Sequence, residues 1–336
     1  MARVRGYACI TTLGDTCTTW SRLLQGESGI RGRQGRVEGY DSLEALLLAA
    51  VMQAVQGIDL PPDCGVVVGS SRHYQGAWEE DKWVLPAHLS QVVVQHLGLG
   101  GATIALACAC ATGNWAIIRG LQLLDACGAV VVACADRCLT PLSLAGLQQM
   151  GVLADRCHPF SRERRGMVLA EGAAALVLTR EGRGVEILGW GCTNDAYHVS
   201  SPDPTGAAMA KAIEQALGRS GITPAQVDVI SPHATGTIYN DRVEAAVLSR
   251  LFPQRPWVCP SKGATGHSLG AAALIEAVLC VLILQEQKIF PAVGVLTPEY
   301  DLNLPRQGQS ISAQIALNLS FGFGGQNTAV VFRKSE

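Results

Sequence analysis

Residues 103–127 read TIALACACATGNWAIIRGLQLLDAC, and they contain a complete strand–turn–helix signal. Thr103–Ala107 is a short β-rich run, and Asn114–Cys127 repeats apolar residues with a helical period. The turn between them consists mostly of small residues. A buried strand that leads directly into an apolar helix is typical of α/β proteins, in which helices cover a largely buried sheet.

The same alternation continues in both directions along the chain. The other β-rich runs are Gly65–Gly69, Ala129–Ala135, Ala173–Thr179, Val185–Gly189, Val227–Ser231 and Thr328–Phe332. The other helical patterns are Leu43–Val55, Gly206–Ser220, Asp241–Leu251 and Ala271–Gln285. Strands that alternate with helices over the whole chain predict an α/β fold with buried sheets.

A faint internal repeat divides the chain. Arg3–Cys9 and Val185–Cys192 each read as a strand that opens a unit, and the runs that close the two units are also similar. Each unit holds roughly 150–180 residues, which is a normal domain size. We therefore predict two similar α/β halves, residues 1–182 and 183–336. They should pack directly together, because no Pro- or Ser-rich linker separates them.

Composition narrows the classes of function. Hydrophobic residues make up 48% of the 336 residues and charged residues only 16%, so much of the chain should be interior. A formal net charge of −2, without a block of like charges, predicts no nucleic-acid partner and no anionic-membrane partner. The most apolar stretch, Gly270–Leu284, is shorter than a membrane span and contains Glu276, so we predict a buried helix.

The twelve cysteines are scattered through apolar runs and show no paired zinc spacing. Met1–Thr12 contains no sustained apolar segment, so a secretory signal is not predicted. We expect reduced thiols in a cytoplasmic protein that holds no metal.

Cys110 is the first candidate for chemistry, within Ala107–Asn114 (ACACATGN). A thiol at a strand-to-helix turn lies near the helix N-terminus, where unpaired amides and the helix dipole lower a cysteine pKa. The small neighbours Ala109, Ala111 and Gly113 would let a substrate carbonyl approach the thiol. The alternative is a packed interior cysteine, and this segment alone does not separate the two.

His233 is the second candidate, within Ser231–Thr237 (SPHATGT). A histidine that leaves a buried strand into a loop of small and hydroxyl residues can project into a cleft, although a lone histidine is more often structural. Thr235 and Thr237 could bond a polar substrate arm or simply satisfy the turn.

His267 is the third candidate, within Ser261–Gly270 (SKGATGHSLG), just before the apolar helix. The positive end of the helix dipole disfavours imidazolium, so a neutral ring is expected there. Lys262 and Glu276 are predicted to pair, because a buried carboxylate needs a partner. Such a pair could be purely structural or could also orient the histidines.

The fourth candidate is the Gly-rich segment Asn318–Asn327 (NLSFGFGGQN). A turn of this kind between strands can present backbone amides to an anion and so complete an oxyanion hole. It lacks the G-x-G-x-x-G pattern and precedes no helix, so a dinucleotide site is not predicted. An ordinary tight turn is the alternative.

Taken together and in this order, the four segments resemble the β-ketoacyl-[acyl carrier protein] synthases. ACACATG resembles the nucleophile turn and PHATGT the first histidine motif, while KGATGHSLGAA resembles the lysine and second-histidine motif and NLSFGFGGQN the closing loop. Cys157–Gly172 resembles the segment that leads into the last strand of the first half. The resemblance covers nearly the whole chain. It implies the thiolase fold, with two α/β halves in five αβαβα layers.

The resemblance also implies a role for each reactive side chain. Cys110 would take an acyl group from a thioester. His233 and His267 would stabilise the enolate formed when a malonyl thioester loses carbon dioxide, and Lys262 would support them with Glu276. The Cys-His-His set resembles the elongating synthases rather than the initiating Cys-His-Asn type.

The remaining roles concern the oxyanion and the substrate arm. Backbone amides of Cys110 and Phe323 would form the oxyanion hole, with Phe323 also as a gate, and the flanking Gly322 and Gly324 are assigned to the same oxyanion hole and gate. The expected contacts of the phosphopantetheine arm are Thr235 and Thr237. The resemblance implies an acyl carrier protein as partner and no bound cofactor. It also implies a homodimer, or a heterodimer with a related subunit.

The chain departs from the family pattern at three places. Ala234 stands where the family typically has glycine, and Cys108 is unusual two residues before the nucleophile. The chain is also shorter than typical relatives between Gly39 and Leu43 and around Arg72–His88. Those regions in relatives help to cover the acyl pocket and to form the subunit interface.

Three functions stay open at this point. The first is decarboxylative Claisen condensation in fatty-acid or polyketide-type biosynthesis, which the full set of His233, Lys262 and His267 favours. The second is acyl transfer from Cys110 to an amine or alcohol. The third is a non-catalytic subunit resembling a chain-length factor, against which the presence of Cys110 argues. The sequence does not define acyl chain length, carrier protein or pathway.

Overall fold

The computed structural model describes residues 2–335. The strands in this part of the chain are β1 (Ala2–Ile10), β2 (Gln34–Gly35), β3 (Gly65–Gly69), β4 (Thr103–Leu106), β5 (Ala129–Asp136), β6 (Leu169–Ala170), β7 (Gly172–Thr179), β8 (Val185–Asn194), β9 (Val229–Ser231), β10 (Trp257–Val258), β11 (Lys288–Ile289), β12 (Gln309–Ser310), β13 (Ile315–Gly322) and β14 (Gln326–Arg333). The helices are α1 (Thr16–Leu24), α2 (Leu43–Ala54), α3 (Gln75–Glu79), α4 (His88–Leu97), α5 (Thr112–Leu123), α6 (Pro141–Gln149), α7 (Ala207–Ser220), α8 (Ile238–Leu251), α9 (Lys262–Thr265) and α10 (Ala272–Glu286).

Each β-rich run and each helical pattern of the sequence corresponds to one of these elements, with boundaries that differ by a few residues. The largest difference concerns the Gly-rich segment. Residues 318–322 belong to β13, and the turn to β14 comprises only residues 323–325. The antiparallel register pairs Gly322 with Gln326, so the hairpin is tighter than the sequence alone indicates.

The main sheet has ten strands in the order β10-β9-β13-β14-β8-β1-β7-β5-β3-β4. From the centre outward, the N-terminal side has β1, β7, β5, β3 and β4, and the C-terminal side has β8, β14, β13, β9 and β10. Counted in chain order among the main-sheet strands of each side, these are the first, fifth, fourth, second and third strands. The strand order is therefore the same before and after residue 183. The two opening strands, β1 and β8, join the sides through three antiparallel residue pairs.

Helices α5 and α10 lie between the two sets of strands and contact each other. Gly113 permits that contact, because a Cβ added there would lie 2.3 Å from the backbone nitrogen of Leu274. Helices α2 and α4 cover the N-terminal strands, α7 covers β8 and β14, and α8 packs against α7 and shares an apolar cluster with β9 and β13. The result is the predicted five-layer αβαβα arrangement.

The middle layer contains the most apolar helical stretch. Leu269–Glu286 is long and apolar enough to cross a membrane by length and composition alone, but 89% of it is buried inside the protein. The prediction of a buried core helix is confirmed, since α10 packs against strands of both halves.

Candidate active site

Cys110 lies in a tight turn between β4 and α5. Ala109 has a φ of 47°, in the left-handed region. The Thr112 hydroxyl donates to the Ala109 carbonyl at 2.6 Å and accepts from the Cys108 amide at 2.8 Å, which closes the turn. The Ser320 hydroxyl donates to the Cys110 carbonyl at 3.0 Å. The nucleophile turn is thus fastened to the C-terminal half as well as to its own helix.

The structure brings Cys110 together with both predicted histidines. His267 Nε2 lies 3.2 Å from Cys110 Sγ, and the ring centroids of His233 and His267 are 5.4 Å apart. The Cys110 sulfur and one ring nitrogen from each histidine lie within 4.8 Å of one another, and all three residues are buried. Residues from three separate sequence segments therefore form one cluster.

The His233 loop is held by two carboxylates that the sequence analysis missed. Glu244 accepts hydrogen bonds from the backbone amides of His233 and Ala234 at 2.7 and 2.8 Å. Asp241 accepts the Gly236 amide at 3.2 Å. Both lie on α8, where acidic residues four and seven positions after the loop would have been the available signal.

Burial raises the pKa of both carboxyls, to about 8 for Glu244 and about 6 for Asp241, although backbone amides oppose the shift. Glu244 also holds a strained residue, because Ala234 has a φ of 40°. Ala234, which stands where the family typically has glycine, is therefore held in a left-handed conformation by the buried Glu244 carboxyl.

Lys262 and Glu276 form the predicted ion pair, with Nζ 2.5 Å from Oε1. The Ser261 hydroxyl donates to the same oxygen at 2.9 Å. Lys262 is 1% exposed, so its ammonium group depends on these contacts rather than on water. The Lys262 charge lowers the pKa of both histidines and of Cys110.

Both histidines are neutral, as expected, but for a different reason. Burial, followed by the Lys262 charge, holds the pKa of His233 and His267 well below the usual value. The 3-10 turn Leu269–Ala271 separates His267 from the start of α10. The helix dipole therefore has a smaller part than the sequence suggested, because its effect is confined to the first turn.

The expectation of a thiolate at Cys110 is wrong for the resting protein. Burial raises the pKa of Cys110 to about 11, and the Lys262 charge and the Phe323 amide lower it only in part. Low polarity around the thiol outweighs the helix N-terminus. The thiol is therefore protonated at neutral pH, with His267 Nε2 within hydrogen-bond distance.

The end of β13 and the turn that follows it lie close to the nucleophile. A Cβ added to Gly322 would lie 3.2 Å from the backbone nitrogens of Cys110 and Ala111, so glycine allows this close approach. The Phe323 amide lowers the pKa of the Cys110 thiol. Gly324 differs from its predicted role, because its amide donates to the Val199 carbonyl at 2.9 Å and is therefore not free to bind an oxyanion.

A cavity of about 150 Å³ leads from the cluster to the surface. Thr235 and Thr237 both line it, and their hydroxyls are 2.9 Å apart. Met150, Ile238 and Tyr239 are exposed lining residues, with 46%, 47% and 58% of their surface accessible. The cavity thus passes from a buried polar cluster, past two hydroxyls, to a partly apolar rim.

Residues 32–183 match the N-terminal domain of beta-ketoacyl synthases, and residues 185–295 match the C-terminal domain of the same family. The chain belongs to the β-ketoacyl synthase family. The boundary between the two matched domains falls in the segment that joins β7 to β8.

Two curated β-ketoacyl synthases illustrate the similarity. A 3-oxoacyl-[acyl-carrier-protein] synthase 2 of Mycobacterium bovis is 36% identical over 249 residues, covering 67% of this chain and 59% of the relative. A 3-oxoacyl-[acyl-carrier-protein] synthase 2 of Synechocystis is 28% identical over 404 positions, covering 98% of this chain and 97% of the relative. That alignment is longer than the 336 residues of this chain, so the relative contains additional segments.

Two solved ketosynthases share the fold. A type II polyketide synthase acyl-carrier protein in complex with its ketosynthase, bound to the hexaketide, gives a TM-score of 0.90 at 25% identity and covers 100% of this chain and 99% of that one. A ketosynthase in complex with its chain length factor, from Xenorhabdus doucetiae, gives a TM-score of 0.88 at 25% identity. The match covers 99% of this chain and 98% of that one.

Proposed function

We propose that this β-ketoacyl synthase joins an acyl group on Cys110 to a malonyl thioester by decarboxylative Claisen condensation. The observation that carries the proposal is the cluster of one thiol and two neutral imidazoles, with His267 Nε2 3.2 Å from Cys110 Sγ. Acyl transfer alone needs the thiol, one base and an oxyanion hole, so the second neutral imidazole favours carbon–carbon bond formation.

In the first step, Cys110 sulfur attacks the carbonyl of an acyl thioester. The thiol proton passes to His267 Nε2, which lies within hydrogen-bond distance, and then to the departing thiolate of the donor. Backbone amides of Cys110 and Phe323 stabilise the tetrahedral oxyanion. The products are acyl-Cys110 and a free donor thiol, and both histidines are neutral again.

In the second step, a malonyl thioester loses carbon dioxide and leaves an enolate. Neutral His233 and His267 donate hydrogen bonds to the enolate oxygen, His267 after its ring proton has exchanged from Nδ1 to Nε2, and low polarity makes such bonds strong. The enolate carbon then attacks acyl-Cys110, and the cysteine sulfur departs as a thiolate that takes up a proton. Lys262 and Glu276 hold the histidine segment in position through their buried ion pair.

The thiol, the imidazoles and the backbone amides supply every group that these steps require, so we propose no resident cofactor. The substrates would be carried on the phosphopantetheine arm of an acyl carrier protein. Thr235 and Thr237 line the cavity, which supports a role in holding the arm. The exposed Met150, Ile238 and Tyr239 at the rim would contact the carrier itself.

We also propose a dimer, formed with an identical or a related subunit. Support comes from β4, which is the last strand of the sheet and is partly exposed, because an unpaired edge favours pairing with another chain. A solved relative forms a complex with its chain length factor. A cytoplasmic location fits the twelve free cysteines.

The test is intact-protein mass spectrometry with acyl thioesters, followed by malonyl-carrier protein. We expect an acyl adduct that Cys110→Ala abolishes and that malonyl-carrier protein discharges with release of a β-ketoacyl product. Cys17→Ala, at an exposed cysteine, is the matched control and should behave as the wild type. An adduct that only an amine or alcohol discharges would instead indicate acyl transfer, and no adduct with any donor would indicate a non-catalytic subunit.

A further inference from the structure

The Cys110 cluster has the composition of a soft-metal site. The Cys110 sulfur and one ring nitrogen each from His233 and His267 lie within 4.8 Å of one another. Thiolate and imidazole are the ligands that Zn²⁺ prefers, with bonds of about 2.3 and about 2.0 Å. A tetrahedral ion with such bonds keeps its ligand atoms roughly 3.5 Å apart. The 3.2 Å between His267 Nε2 and Cys110 Sγ is close to that value.

The surroundings resemble an open rather than a closed metal site. The three residues supply three ligands, and the cavity that they line leaves a fourth position accessible from the surface. Zinc sites with three protein ligands and one open position bind water or another small ligand there. Each imidazole offers one ring nitrogen to the group of three ligand atoms.

The charged residues around the cluster affect the binding of a cation there. Lys262 and Arg72 are the cations that act on this cluster, and both oppose a metal ion. Glu276 offsets Lys262 through the 2.5 Å ion pair, and Asp136 contributes a further negative charge near the thiol. The remaining negative charge must come from Cys110, whose proton passes to solvent when the sulfur binds the ion.

We propose that Cys110, His233 and His267 form an inhibitory Zn²⁺ site in the resting enzyme, and that acylation of Cys110 abolishes it. A thioester sulfur carries no negative charge and is a poor zinc ligand, so the acyl-enzyme retains only two imidazoles. Zinc and the acyl donor therefore compete for the same sulfur. The binding claim is independent of the proposed reaction, whereas the competition claim rests on it.

The first experiment titrates metal-free protein with Zn²⁺ in competition with a chromophoric chelator. We expect one ion per chain, and at least a tenfold loss of affinity in Cys110→Ala, His233→Ala and His267→Ala. Cys17→Ala and His198→Ala, at exposed positions, are matched controls that should keep the wild-type affinity. Circular dichroism and melting temperature identify any variant that does not fold.

Equal zinc affinity in the wild type and in all three folded cluster variants would overturn the proposal. The second experiment follows acyl-adduct formation by mass spectrometry with and without Zn²⁺. Zinc should slow adduct formation, EDTA should restore it, and enzyme acylated beforehand should bind no zinc at the cluster. Tight binding to the acyl-enzyme would contradict the competition. A lack of adduct even without zinc would count against the proposed function and leave the titration unaffected.

Discussion

The connection from β4 to α5 and the connection from β10 to α10 occupy equivalent places in the two halves. Each contains a non-glycine residue in the left-handed region three positions before its helix, Ala109 with a φ of 47° and Leu269 with a φ of 46°. They differ in length, because the first spans residues 107–111 and the second spans residues 259–271. The short connection carries the nucleophile.

This difference separates what the fold requires from what the site requires. The same bend occurs in both halves, so it belongs to the way a strand joins a middle-layer helix. The additional residues of the second connection contain Lys262 and His267, which are unmatched in the first. Because α5 and α10 contact each other, residues 157 positions apart in sequence come to 3.2 Å. One half thus supplies the thiol and the other supplies its partner.

The largest effect should follow from removing the histidine of the long connection. His267→Ala should lower the condensation rate by about 10²–10⁴-fold, the usual range for a lost acid–base group. It should also slow acylation of Cys110 more than His233→Ala does, because His267 Nε2 lies 3.2 Å from the sulfur. Time-resolved mass spectrometry of the adduct measures both rates. Equal slowing of acylation by the two substitutions would contradict this division of roles.

The second effect concerns the buried pair beside His267. Glu276→Gln should lower the free energy of unfolding by about 3–5 kcal/mol, because it leaves the Lys262 ammonium buried without its carboxylate. Urea denaturation measures the loss. The double variant Lys262→Met/Glu276→Leu is the control and should recover much of the stability. A double variant as unstable as the single one would show that the uncompensated charge is not the cause.

The third effect tests the contact between the two equivalent helices. Gly113→Ala should cost about 1–3 kcal/mol, because its Cβ would meet the backbone of α10 at 2.3 Å. Gly146→Ala, on α6 with open space around it, should instead gain up to about 1 kcal/mol. Thermal unfolding of the two variants measures the contrast. Similar melting temperatures for the two variants would mean that α5 and α10 can move apart without loss of stability.

The fourth effect concerns the protonation of the thiol. With a pKa of about 11, the thiolate fraction of Cys110 should rise about tenfold per pH unit between about pH 7 and about pH 10. Alkylation by iodoacetamide, followed at the Cys110 peptide, should rise in parallel. An alkylation rate that is already constant above about pH 7 would contradict this prediction. It would mean that the helix N-terminus lowers the Cys110 pKa more than burial raises it.

The smallest effect should come from the bend itself. Ala109→Gly should stabilise the protein by at most about 1 kcal/mol, because glycine adopts a φ of 47° without the clash of a Cβ. Ala109→Val should destabilise it, since a branched side chain is more strained there. Chemical denaturation of both variants measures the difference. A stable valine variant would argue against strain in this connection.

Much of this molecule follows from the order of its residues. Strand β3 coincides with the apolar run Gly65–Gly69, and α7 starts one residue after the predicted Gly206. Such elements are predictable because periodicity, apolar content and turn residues are local properties. The segments around Cys110, His233 and His267 were recognisable for the same reason, since each motif lies within about ten residues.

Only the tertiary structure decided how those segments act on one another. The Glu244 carboxylate meets the His233 loop, and the Gly324 amide is taken by Val199, through contacts that no local pattern encodes. The protonation of Cys110 depends in the same way on how deeply the two halves bury it. Sequence determines which groups can react, whereas packing between distant segments sets their distances, their solvation and therefore their charge.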